Sequence, residues 1–431
     1  MLTRLAGSKF KPALQAHLCR CSEPEISPPP IAALVDNLST MAAAEAPQIT
    51  GRRQFVEYAR ECEEFRRQLV GQIAEVLVEM ETYASNTRAQ DEIEVVGEDI
   101  KNAVVGTMLD ARQYLEILRD HGSDTFREEP ELEHVFVLCT RAEAADMLHK
   151  TKWPPLCPFL VRDHPPRVRN LSIDTYLNYL EHKGAVQVHD FSRPRTTEDG
   201  FIQPMSMTSR TIKKRLDGLF PVNCLNLSKF VQDSLPDFFE GMPEWNILSM
   251  MPGTSRDPFA PRAIDQSETA DFTLLCSKNA PTTAHVDGEA VVTTGELVQG
   301  RKAWLIWGPT DQNSLDAWTQ SKKYSPSGRP VLFSMKPGDR IVMPKFRLHR
   351  VFSPQASLMV GRKLWHSRDL PDIVHWVRYQ LDKPAVSNED LPQELIEKLP
   401  NILRLVERGG KFWPTPTDPD QVRRMRKDIE V

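Results

Sequence analysis

The sequence predicts a mainly β core with α additions: a double-stranded β-helix (jelly roll), preceded by a helical hairpin and followed by C-terminal helices. Three observations predict it. One His-x-Asp, His285 and Asp287, lies in an extended-looking run from Thr282 to Trp307. A turn, a short apolar strand, a proline and a histidine follow in that order between Lys336 and Val351. Two long stretches of helical apolar spacing stand well ahead of both.

Taken in order, residues 1–50 read as a disordered segment, with three prolines at 28–30 and an alanine-rich stretch at 42–47. The start carries Arg4, Lys9, Lys11 and Arg20 and no acid as far as Ser22, a composition compatible with a mitochondrial presequence or with a disordered basic tail. Residues 51–122 read as the hairpin. Tyr58, Cys62, Phe65, Leu69, Ile73, Val76 and Met80 recur at helical spacing, and Ile93, Val96, Ile100, Val104, Met108, Ala111 and Leu115 repeat the pattern. A polar break at Ser85-Asn86-Thr87 is expected between them. Such apolar faces must be covered, either by the β core, with the hairpin as a buttress, or by a second copy or partner. Residues 130–380 hold the β-helix. A tail over 381–431 reads as helical, with a helix from Leu391 to Arg408 interrupted at Pro400 and stopped at Gly409-Gly410. Arg423, Arg424, Arg426 and Lys427 read as a solvated helix face.

The site reading starts from strand geometry. Alternate side chains on a strand point the same way, so His285 and Asp287 project an imidazole and a carboxylate into one space. A second, distant histidine completes a facial triad that holds Fe(II) and leaves positions open. The downstream segment supplies it: Pro337-Gly338-Asp339 makes a turn, Arg340 to Met343 a strand, Pro344 ends it, and His349 follows. His366 and His375 are alternatives that lack the preceding turn and strand.

These residues resemble the JmjC family of Fe(II)- and 2-oxoglutarate-dependent oxygenases, within the cupin superfamily. The match is H-V-D at 285–287, L-V-Q-G-R-K-A-W at 297–304, and P-G-D…P…H over 337–349. It covers Ser267 to Trp365, with a looser lead-in from Pro158. The resemblance implies Fe(II) as cofactor, 2-oxoglutarate and O2 as co-substrates, and His285, Asp287 and His349 as metal ligands. It implies Lys302 as the cation that meets the far carboxylate of 2-oxoglutarate, with Thr282 adding a hydroxyl. Many other 2-oxoglutarate oxygenases place the basic anchor on the strand after the second histidine, where Arg362 and Lys363 stand here. An asparagine common in the family is missing; its region reads VVTTG over 291–295, so Thr293 or Thr294 is a candidate donor to the co-substrate.

The implied reaction is hydroxylation of a protein or peptide side chain, or demethylation of an N-methyl-lysine such as those of histones. The lack of a chromatin-reading module in the chain tilts the expectation to a hydroxylase. Two alternatives stay open: a catalytically impaired JmjC-like scaffold that acts through its hairpin, and a cupin with non-oxidative chemistry. Composition bounds the rest. A net charge of −5 gives no global attraction to nucleic acid, and no direct binding of it is expected. The seven cysteines are scattered, with no C-x-x-C pair, which fits a reducing nuclear or cytoplasmic setting. No apolar run reaches the length of about 18–20 residues that a membrane span needs.

Overall fold

The computed structural model describes residues 52–90, 97–120, 137–151, 157–162, 171–193, 204–227, 239, 242–245, 247, 270–308, 312–321, 330–387, 391, 393–410 and 418–430. The expected disordered segment and the presequence lie outside the described residues.

Thirteen strands are described: β1 (Val137–Cys139), β2 (Phe159–Val161), β3 (Val186–Asp190), β4 (Met205–Met207), β5 (Val222–Leu227), β6 (Asp271–Cys276), β7 (Ala280–His285), β8 (Val292–Gln299), β9 (Lys302–Ile306), β10 (Val331–Met335), β11 (Arg340–Met343), β12 (His349–Ser353) and β13 (Ser357–Leu364). They form a nine-stranded sheet in the order β1-β2-β11-β8-β13-β6-β5-β3-β4 and a four-stranded sheet in the order β10-β9-β12-β7. All pairs are antiparallel except β1 with β2. The two sheets close on each other as a double-stranded β-helix. Their inward faces meet where Trp304, Ile306 and Phe333 pack against Leu297, Ile341 and Met359. Within the large sheet the Phe272 ring lies over its register partner Gly361: a Cβ there would fall 2.3 Å from that ring and 2.6 Å from the Thr294 carbonyl, so only glycine fits.

The hairpin helices α1 (Arg52–Gln90) and α2 (Gly97–Asp120) cover the outward face of the small sheet. Leu69, Ile73, Tyr114 and Leu118 share a core with Ala303, Leu305 and Phe352, the buttress arrangement. Polar anchors fix the docking. The Tyr58 hydroxyl donates to the Ser334 carbonyl at 3.0 Å and accepts from its amide at 3.1 Å. Gln72 donates to Asn279 Oδ1 and to the Pro354 carbonyl, both at 2.7 Å, and Tyr114 to the Ala303 carbonyl at 3.1 Å. The expected break at 85–87 is not a break: α1 continues to Gln90. No glycine or proline interrupts that stretch, and the Thr82 and Ser85 hydroxyls bond back to the Val78 and Glu81 carbonyls, which leaves the helix intact.

Five further helices link or follow the strands. These are α3 (Arg141–Thr151), α4 (Ile173–Glu181), α5 (Ser209–Arg215), α6 (Gln312–Ser321) and α7 (Leu370–Asp382), the last directly after the barrel. α4 starts at the Ser172 cap, whose hydroxyl accepts from the Thr175 amide at 3.1 Å. Beyond α7 come α8 (Gln393–Arg408) and α9 (Pro419–Glu430). Pro400 does not interrupt α8. One missing amide bond is outweighed by the burial of Leu395, Leu399, Ile402, Leu403 and Val406 along one face. Gly409, at φ 73°, ends the helix as expected. On α9, Arg423 and Arg426 make exposed pairs with Asp420 and Glu407, and Met425 turns into the core. Among the described residues no helix is long and apolar enough to cross a membrane.

A candidate metal centre and the polar group beside it

His285 ends β7 and His349 begins β12, and the two are register partners across the antiparallel pair. Strand pairing thus brings together histidines far apart in sequence, with ring centroids 4.2 Å apart. Asp287 lies two residues past His285. Its Oδ1 is 3.7 Å from His285 Nε2 and 3.5 Å from His349 Nε2. These three side chains are the one cluster of metal-capable groups among the described residues, with ligand atoms within 4.8 Å of one another.

The tautomers are set from behind. His285 Nδ1 donates to the Thr283 carbonyl at 2.8 Å and His349 Nδ1 to the Arg347 carbonyl at 2.9 Å. Each Nε2 is therefore the ring nitrogen that faces Asp287. Burial alone would raise the Asp287 carboxyl pKa. The adjoining His349 and His285, with a 2.5 Å hydrogen bond from the Thr293 hydroxyl, outweigh that and hold it below the usual range. Two imidazole nitrogens and one ionised carboxylate form a donor set that can hold a divalent first-row metal on one face.

A second polar group lies further into the barrel. Lys302 opens β9 and is buried, and its Nζ contacts Cys276 Sγ and Ser353 Oγ, both at 3.2 Å. Cys276 Sγ is 3.0 Å from Asn223 Oδ1, and Asn223 Nδ2 donates to the Thr282 hydroxyl at 3.3 Å. Among the described residues no carboxylate is within ion-pair reach of the Lys302 ammonium. Its neighbour Arg301 points the other way, over the Phe65 ring at 3.8 Å.

A β-bulge explains how Thr282 joins this group. Strict alternation would turn Thr282, three residues before His285, to the opposite face. The register of β7 against β12 shifts between His349 and Val351, so that Thr282 stands opposite Val351. The extra residue brings Thr282 to the inward side.

The other sequence candidates are placed elsewhere. Thr293 serves Asp287, as above. Arg362 lies on the outward face of β13, in line with Leu358 and Val360, and pairs with Asp271 at 3.6 Å. It turns away from the triad because adjacent strand residues face opposite sides. Lys363 takes the inward side, 3.6 Å from Glu289. His366 sits against Trp245 with ring centroids 4.9 Å apart, and burial pushes its pKa down to about 4. His375 bonds Asp428 at 3.3 Å, and that bond raises its pKa. Asn223, Cys276 and Ser353 carried no signal in the sequence. Each reaches the group around Lys302 by pairing between distant strands.

A jelly roll whose inward face carries two histidines and one carboxylate defines a cupin-type scaffold able to hold a metal. No family model matches the chain. Over 124 residues it is 25% identical to "JmjC domain-containing histone demethylation protein 1" of Candida albicans, a match that covers 24% of this chain and 26% of that protein. The chain thus spans about a quarter of the length of the curated relative it matches. A solved structure, YcfD, a ribosomal oxygenase from Escherichia coli in complex with cobalt and 2-oxoglutarate, is 11% identical at a TM-score of 0.35, covering 66% of this chain and 65% of that one. The sequence likeness, the jelly-roll core and the His-Asp-His cluster together support the JmjC type of cupin fold.

Proposed function

We propose that the chain is an Fe(II)- and 2-oxoglutarate-dependent oxygenase that hydroxylates a side chain of a protein or peptide. The observation that carries this reading is the pairing of two features in one barrel: the His285–Asp287–His349 cluster, and the buried Lys302 ammonium, which meets no carboxylate among the described residues.

In this reading His285, Asp287 and His349 hold Fe(II), which when bound supplies the coupling of O2 reduction to oxidative decarboxylation of 2-oxoglutarate. Thr293 fixes the orientation of Asp287, and the two backbone carbonyls fix the imidazoles. Lys302 pairs with the far carboxylate of the co-substrate, and Thr282 and Asn223 add hydrogen bonds. The spacing suits this division. Ser353, beside Lys302, lies four residues along β12 from His349, about 13 Å of strand, which a five-carbon diacid and the side chains on either side can span. The apolar wall of Trp304, Ile306 and Phe333 keeps water from the enclosed charges.

The likeness to a protein named for histone demethylation supports a second reading, removal of a methyl group from N-methyl-lysine in the nucleus. Both readings share the site and differ in the substrate carbon. The test is anaerobic Fe(II) titration with 2-oxoglutarate, followed by exposure of candidate proteins to the loaded enzyme in air. A weak visible charge-transfer band and succinate formation are expected. Gain of one oxygen atom on the target supports hydroxylation, and loss of a methyl group with formaldehyde release supports demethylation. A chain that binds neither metal nor 2-oxoglutarate overturns both.

A further inference from the structure

Asp287 is followed at once by a strained turn. In the 3-10 turn Gly288–Ala290, Glu289 and Ala290 hold φ of 61° and 52°. Residues with a Cβ occupy that region only where the surrounding structure holds them. Here the restraints come from beyond the triad strands. The Glu289 amide donates to Gln380 Oε1 at 3.0 Å, and Trp365 Nε1 donates to the Glu289 carbonyl at 2.9 Å. Lys363 stands 3.6 Å from the Glu289 carboxylate. The amide of Val286, the residue between the two ligands, donates to the Val386 carbonyl at 3.0 Å.

Gln380 lies on α7 and Val386 just after it, so both backbone flanks of Asp287 are tied to the segment that follows the barrel. Gln380 itself is buried, at 2% exposure, and its amide oxygen meets the first of the two strained residues. α7 is held in turn by α9, through the buried Met425 and the His375–Asp428 contact.

We propose that Gln380 is a positioning residue for the metal centre: from α7 it holds the left-handed turn after Asp287, and through that turn it fixes where the carboxylate stands. The inference rests on the metal reading above. The turn is not built to stay in place on its own, since neither residue at positive φ is a glycine. The C-terminal helices are therefore part of the metal site although they supply no ligand.

Co(II) titration of the full chain, followed by visible absorption and calorimetry, tests this without turnover. Gln380→Leu is expected to weaken Co(II) binding about tenfold or more, and Gln380→Glu, which keeps an acceptor oxygen, to restore it. Ala290→Gly in the Gln380→Leu chain is expected to recover about threefold or more, because glycine takes positive φ without strain. A merely structural role for Gln380 would lower the melting temperature of the metal-free protein and leave the Co(II) affinity of the folded fraction unchanged. Should Gln380→Leu fail to fold, Gln380→Asn, one methylene short of the Glu289 amide, carries the same comparison. Wild-type Co(II) binding with an equal affinity in the variant overturns this inference alone, as does failure of Ala290→Gly to rescue. Absence of Co(II) binding by the wild type overturns the metal reading itself.

Discussion

On the outward face of the large sheet, Arg340 stands opposite Glu296 and Arg362 opposite Asp271, and each buried cation has its carboxylate one strand away. Inside the barrel, the buried Lys302 meets a thiol and a hydroxyl, and the half-buried Asp287 meets two imidazoles and a hydroxyl. Taking an ion out of water costs several kcal/mol unless a counter-charge meets it. The outer pairs satisfy that demand within the chain, so their work is done once the sheet is folded. The inner groups leave it partly open. In the proposed reading something that is not protein completes them: a metal for the carboxylate and imidazoles, an anion for the ammonium.

The variant with the largest expected effect is Asp287→Ala, which should abolish 2-oxoglutarate turnover while the far-UV spectrum and melting stay close to wild type. Succinate production at the wild-type rate would move the metal elsewhere. Next, Arg340→Met breaks a paired charge and leaves Glu296 alone in the core, which should lower unfolding stability by about 3–5 kcal/mol in urea titration. Lys302→Met tests the contrast directly. With no acid among the described residues orphaned, stability should hold or rise, whereas 2-oxoglutarate binding should weaken by about 2–5 kcal/mol, about thirtyfold at the least. A destabilised Lys302→Met with unchanged 2-oxoglutarate affinity would erase the distinction between the two faces.

The smallest effect concerns pH. His366 is buried and its folded pKa lies near 4, whereas the unfolded chain takes up that proton near pH 6.5. As pH falls from about 6.5 to 4 the unfolded state binds the proton first, so stability drops across that window, by about 3.4 kcal/mol at most. His366→Asn, which keeps an acceptor for the Arg368 amide, should flatten this limb in denaturation curves at pH 7 and 4.5.

The triad was legible because its signals are local: a two-residue spacing on a strand, and a turn, strand and proline ahead of His349. The helical additions were legible from periodicity, though their punctuation was not. Ser85-Asn86-Thr87 and Pro400 read as interruptions, and tertiary burial carried both helices through. Which of Arg362 and Lys363 faces the site depends on strand register, and their adjacency in sequence does not contain it. The same holds for Asn223 and Cys276, neighbours only because β5 pairs with β6, and for Gln380, whose partner Glu289 lies on a different element.

The Tyr58 contact has a consequence for how the molecule behaves among copies of itself. β10 is the outermost strand of the small sheet, and such a rim offers free amides and carbonyls to any extended chain that drifts past. At Ser334 one phenolic oxygen takes both roles of a neighbouring peptide, accepting from the amide and donating to the carbonyl. Burial drives the Tyr58 ionisation well above the ordinary phenol range, so the hydroxyl keeps the proton it must donate. The hairpin thus stoppers the sheet with a side chain, and edge-to-edge growth toward aggregates is denied its first rung.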